Sequence, residues 1–155
     1  MRHLASMFLA WARENNAFSK FYATSYIQQE LQACKRGLYT LFAILEALGW
    51  VTYRNPERGI RISIMTGVII QPRENTATKN VLLSEATAVV TQILRNEPFI
   101  IQNYSRLHYD IRAVLVGLGV CVFDEATRAT TLASEFSLSA ALPCDRLARP
   151  LLLSV

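Results

Sequence analysis

The chain has little of what enzymes and metal sites are made from. Two histidines, His3 and His108, stand in 155 residues, and the three cysteines, Cys34, Cys121 and Cys144, include no Cys-x-x-Cys pair. That spacing excludes a zinc cluster. The odd count argues against a disulfide framework, so the expectation is buried thiols in a reducing compartment. No Ser-His-Asp or Cys-His arrangement and no carboxylate cluster appears, so no catalytic residue, no metal and no cofactor is expected. Gly117-Leu118-Gly119 is half of a nucleotide-binding fingerprint without its third glycine or a preceding strand, and carries no weight. Long apolar runs are missing too. Val114 to Phe123 falls far short of the ~20 residues a bilayer span needs, so no membrane partner is expected. Arg2, Arg13 and Glu14 bracket a helical pattern where a signal peptide would carry its apolar core. Charged residues are only 18% of the chain and hydrophobic ones 52%. That apolar content suits a sizeable shared core or an interface and excludes a disordered chain.

What is present centres on residues 31–51. Leu38, Leu41, Phe42, Leu45 and Leu48 make one apolar stripe at 3.6 residues per turn. Arg36, Tyr39, Thr40, Ala43 and Ala47 fall opposite it, and Gly49 stands where a helix would stop. A strand-like run, Trp50-Val51-Thr52-Tyr53, follows. Next come the turn Asn55-Pro56-Glu57-Arg58-Gly59 and a second run, Ile60-Arg61-Ile62-Ser63-Ile64. A helix with a basic start followed by a basic-tipped hairpin matches the recognition helix and wing of a winged helix-turn-helix domain.

The stretch occurs twice. An offset of 70 residues, without a gap, pairs Arg36 with Arg106, Tyr39 with Tyr109, Ala43 with Ala113, Ile44 with Val114, Leu45 with Leu115, Leu48 with Leu118, and Gly49 with Gly119. Two copies of one small domain follow. The expected fold class is mainly α with small β-hairpins (α+β), as two tandem winged helix-turn-helix domains. Residues 1–66 form the first, 67–80 a linker, 81–142 the second and 143–155 a tail.

Within copy one, helices are expected over 3–15, over Tyr26 to Ala33 with Thr24 or Ser25 as cap, and over 35–48, with the wing over 50–64. Val68-Ile69-Ile70 is a candidate strand in the linker. Within copy two, helices are expected over Ser84 to Asn96 and over 106–118, the latter capped by Ser105. Only Phe99 to Tyr104 remain for a shortened helix between them. The second wing runs from Val120 to Leu132 with an acidic tip at Asp124-Glu125, and a short helix is expected around Ala133 to Leu142.

Charge separates the halves. Residues 1–70 hold eight basic and four acidic residues, whereas residues 71–155 hold eight of each. The first copy therefore carries the electrostatic footprint of a DNA-binding module. Arg36 and Arg106, at helix starts opposite an apolar stripe, are candidates for guanine O6 and N7. Lys35, Arg58 and Arg61 are candidates for phosphates, and Tyr39 and Tyr109 for contacts near the DNA backbone. Asp110 is expected to orient Arg106 or a neighbouring arginine by an ion pair. His108 falls on the apolar side of its helix and is expected to pack.

At these residues the chain resembles the E-two-F/DP family of cell-cycle transcription factors. That family carries Arg-Arg-x-Tyr-Asp at the recognition-helix start and Val-Leu-Glu-Gly-Ile-Gly at its end. Copy one reads Lys35-Arg36-Gly37-Leu38-Tyr39-Thr40 and then Ile44-Leu45-Glu46-Ala47-Leu48-Gly49. Copy two reads Arg106-Leu107-His108-Tyr109-Asp110 and then Val114-Leu115-Val116-Gly117-Leu118-Gly119. Both keep the first Arg and the Tyr. Neither keeps the second Arg, where Gly37 and Leu107 stand. The chain is most similar to atypical members holding two such domains.

The resemblance implies a nuclear transcription regulator, with both copies reading a GC-containing site in double-stranded DNA. The competing expectation is a tandem winged-helix scaffold in a multisubunit complex, with a protein partner or self-association through apolar surface. A third, a tyrosine nucleophile acting on DNA, lacks the carboxylate cluster that such chemistry needs.

Overall fold

A computed structural model of the chain describes residues 1–52, 58–62, 68–69, 81–103, 105–134 and 136–138. Helices and small, mainly antiparallel sheets alternate through it, which makes it an α+β protein.

Helix α1 (Arg2–Glu14) forms because Ala5, Phe8, Trp11 and Ala12 recur on one side of the turn, and all four are buried. Asn15 ends it, its Nδ2 donating to the Trp11 carbonyl at 2.8 Å. Strand β1 (Phe21–Ala23) leads straight into α2 (Thr24–Leu31). This helix begins two residues before the expected Tyr26, and neither Thr24 nor Ser25 caps it. Ala23 is the N-cap, and the Thr24 N–H donates across the sheet to the Arg58 carbonyl at 3.1 Å.

Helix α3 (Lys35–Ala47) starts at Cys34, whose Sγ accepts from the Gly37 N–H at 3.3 Å. Strands β2 (Val51–Thr52) and β3 (Gly59–Ile62) complete the first half, in a sheet of order β1-β3-β2. All pairings are antiparallel, with Phe21 opposite Arg61 and Thr52 opposite Arg61 on the other side. Residues 53–57 and 63–64 of the expected wing lie outside the described residues.

Strand β4 (Val68–Ile69) is followed by α4 (Val81–Leu94), α5 (Arg106–Gly117), the antiparallel hairpin β5 (Cys121–Asp124) and β6 (Ala129–Leu132), and β7 (Ser137–Leu138). No helix forms over the described part of 99–104. Two backbone hydrogen bonds, at 3.0 and 2.9 Å, bridge Phe99 to Thr130 and draw it into sheet pairing. The helix expected at 133–142 is also replaced where the structure describes it. Ser137–Leu138 pair in parallel with Val68–Ile69, and the Ala133 N–H is taken by the Val120 carbonyl at 2.8 Å. Residues 70–80 of the expected linker and the expected tail at 143–155 lie outside the described residues.

The repeat extends to the helix ends. After α3, the Gly49 N–H donates to Glu46 and the Trp50 N–H to Leu45, both at 2.9 Å. After α5, Gly119 donates to Val116 and Val120 to Leu115, both at 3.0 Å. These are paired Schellman caps, and they need a residue in left-handed conformation at C′. Gly49 (φ 79°) and Gly119 (φ 77°) supply it without a Cβ clash.

One cluster of buried residues runs through both halves. Its main helix contacts cross between the halves: α1 packs on α5, and α3 packs on α4. Gly117 lets α1 and α5 approach closely, since a Cβ there would collide with the Arg2 carbonyl. The consequence for α3 is that every residue from Leu41 to Ala47 is buried. Ala43 and Ala47, expected opposite the apolar stripe, are 1% and 0% exposed. The periodicity marked the side facing copy one's own core, and the second half covers the other.

Candidate nucleic-acid interface

With its last two turns enclosed, α3 offers solvent its first turn. Lys35 and Arg36 are exposed there, and Thr40 donates back to the Arg36 carbonyl at 3.0 Å. The Lys35 ammonium lies 5.6 Å from the centroid of the Tyr39 ring, so these two predicted residues form one cation–π unit. Tyr39 itself is half-buried, and its hydroxyl is buried without a hydrogen-bond partner among the described residues.

The sheet supplies the second cationic pair. Arg58 is exposed just before β3, where its carbonyl receives the Thr24 N–H. Arg61 is exposed in the middle of β3, and its Nη1 donates to the Ser19 carbonyl at 2.8 Å. Ser19 sits at φ 65°, a region a non-glycine residue seldom adopts, and its N–H donates to Ile62 at 2.7 Å. The loop before β1 thus holds Arg61 in a fixed direction.

At the second helix start, Arg106 is exposed at the first helical position, behind Ser105, whose hydroxyl accepts from the His108 N–H at 3.3 Å. Tyr109 is half-buried. Asp110 makes no ion pair among the described residues. Of the arginines it was expected to orient, Arg106 or a neighbour, Arg112 meets two aromatic rings instead. Its guanidinium lies 4.8 Å from the Tyr109 ring and 4.2 Å from the Phe123 ring, between α5 and β5. The attraction of the two ring faces replaces the expected ion pair. The i, i+3 spacing of Tyr109 and Arg112 was the available signal, but Phe123 arrives only through the hairpin.

His108 packs as expected. Its edge meets Phe99 at 5.5 Å between centroids, and its Nε2 lies 3.1 Å from Glu85 Oε2, which ties α5 to α4. The cysteines divide. Cys121 is buried, and burial pushes its thiol up to about 12. Cys34 is exposed, contrary to expectation, because its Sγ serves as the α3 cap. Cys144 lies outside the described residues. Among the described residues, no group of histidine, cysteine and carboxylate side chains could hold a metal, and no helix is long and apolar enough to cross a membrane.

Searches of known protein families, curated proteins and solved structures return no match to this chain.

Proposed function

We propose that the chain binds double-stranded DNA as a tandem winged helix-turn-helix protein, using the first turn of α3 and strand β3 of its wing. The observation that carries this reading is the order α1-β1-α2-α3-β2-β3 closing an antiparallel sheet β1-β3-β2, with Lys35, Arg36, Arg58 and Arg61 all exposed on it. Guanidinium groups at a helix start suit guanine edges in a major groove, and cations on a hairpin suit phosphates. The second half, with its neutral charge and the Asp124-Glu125 turn, contributes Arg106 and Tyr109 more weakly. A nuclear transcription regulator acting on a GC-containing site is the function that goes with this reading.

The test is selection of duplexes from a random pool by the purified chain, beside Arg36→Ala and Arg106→Ala. A GC-containing site enriched by the wild type and lost in both variants supports tandem readout. Loss in Arg36→Ala alone makes the second half a structural partner. No enrichment and no salt-sensitive binding overturns the proposal.

A second reading, a protein-interaction scaffold, is favoured by the enclosure of α3, which leaves it one exposed turn. Under it, charge reversal at Arg36 and Arg58 leaves partner binding intact.

A further inference from the structure

The outer face of the first sheet carries a feature that the DNA reading has not used. Across its three strands, Phe21, Arg61 and Thr52 stand in one register row, and all three are exposed. The residues alternating with them, Val51, Ile60 and Ile62, are buried, as a two-sided sheet requires. Phe21 is 55% exposed. Its ring lies over Gly59: a Cβ built there would stand 2.6 Å from Phe21 Cζ. Filling the space above a strand glycine accounts for the inner side of the ring. It does not account for the aromatic surface left in water, nor for the arginine beside it. Lys20 and Arg58 fall in the rows of Ile62 and Thr24, on the other side of the sheet, so Arg61 is the cation that shares the row of Phe21. Arg61 is held by the Ser19 carbonyl at 2.8 Å.

We infer that Phe21 is a stacking platform for an unpaired nucleobase, with Arg61 taking the adjacent phosphate. A ring supported from below by backbone and bordered by a fixed cation has the chemistry of single-strand recognition: a π-face for the base and positive charge for its backbone. An apolar protein surface laid over Phe21 would have to strip water from Arg61 without compensating it. The inference rests on the nucleic-acid reading above. It adds that the chain prefers DNA with an unpaired end or an opened segment beside the duplex that α3 contacts.

The experiment compares the full-length wild type with Phe21→Ala and Phe21→Trp on two ligands. One is a blunt duplex. The other is the same duplex with a single-stranded overhang whose first unpaired base is 2-aminopurine. The wild type is expected to favour the overhang, quenching its fluorescence on binding. Phe21→Ala is expected to bind the overhang ligand about 5- to 150-fold more weakly, without quenching, while its blunt-duplex affinity and salt dependence stay unchanged. Phe21→Trp, which keeps a ring over Gly59, retains preference and quenching.

Equal binding of both ligands by wild type and Phe21→Ala, with the same fluorescence, overturns the platform and leaves the duplex reading standing. Failure of the wild type to bind either ligand overturns both.

Discussion

Ala43→Leu asks whether α3 is a central helix or an open recognition face. Ala43 is 1% exposed in a helix whose residues 41–47 are all buried. A leucine adds three carbon atoms to a site closed by copy one on one side and by the second half on the other. Overpacking of such a site costs about 1–3 kcal/mol. Had this face been open to a DNA groove, the same change would fall within about 0.5 kcal/mol of zero. Urea unfolding followed by far-UV circular dichroism separates the two outcomes, with the midpoint falling and the slope unchanged. In thermal unfolding a chain of this size shifts by about 2–4 °C per kcal/mol, so the expected fall is about 2–12 °C. Lys35→Ala, on the exposed first turn, should stay within about 0.5 kcal/mol as the control. Because one core runs through both halves, the loss should appear in a single transition. Wild-type stability in Ala43→Leu would refute the shared-core reasoning.

Three other outcomes follow from the same geometry. If Lys35, Arg36, Arg58 and Arg61 each neutralise one phosphate, a plot of log affinity against log salt for a duplex has a slope of about −3.6. Arg36→Ala then flattens it by about 0.9, and anisotropy titrations giving a slope near zero would count against DNA binding. Gly119→Ala should cost about 1–2 kcal/mol by urea unfolding. Nothing lies within 4 Å of the added Cβ, so the penalty is that of a φ of 77° alone. Gly119→Asn should lose less, and an alanine as stable as wild type would refute the cap assignment. The Cys121 thiol, raised from 9.0 to about 12 by burial, stays protonated in the folded chain after the unfolded chain has ionised. Its contribution is therefore complete below about pH 9 and is lost as pH rises from 9 towards 12. Unfolding between pH 8 and 11 should show a steeper fall for wild type than for Cys121→Val, and parallel curves would exclude the linkage.

Much of this fold was legible because it is local. The spacing of Phe8 and Trp11, the Ser105 cap and the Gly49 and Gly119 stops are decided within a turn or two of chain, and α1, α3 and α5 follow from them. Gly117-Leu118-Gly119, dismissed as a nucleotide motif, has two structural reasons, one distant and one local: close packing against Arg2 and a left-handed cap. What escaped was set by pairing at long range. Phe99 is extended because Thr130, 31 residues on, holds both its backbone groups. Ser137–Leu138 form a strand because Val68–Ile69 lie alongside. The same cause hid part of the candidate site. Phe21 looks like one more aromatic in a loop until β3 places Gly59 beneath it and Arg61 beside it. For α3, hydrophobic periodicity could show one buried face but was silent about the other. Alanines at 43 and 47 are compatible with solvent and with tight helix packing alike, and only the arrival of α4 decides between them. A small residue opposite an apolar stripe is therefore no sign of a free face in a chain whose halves share one core. The basic first turn, which no partner helix can afford to bury uncompensated, is the surer guide to the surface that stays open.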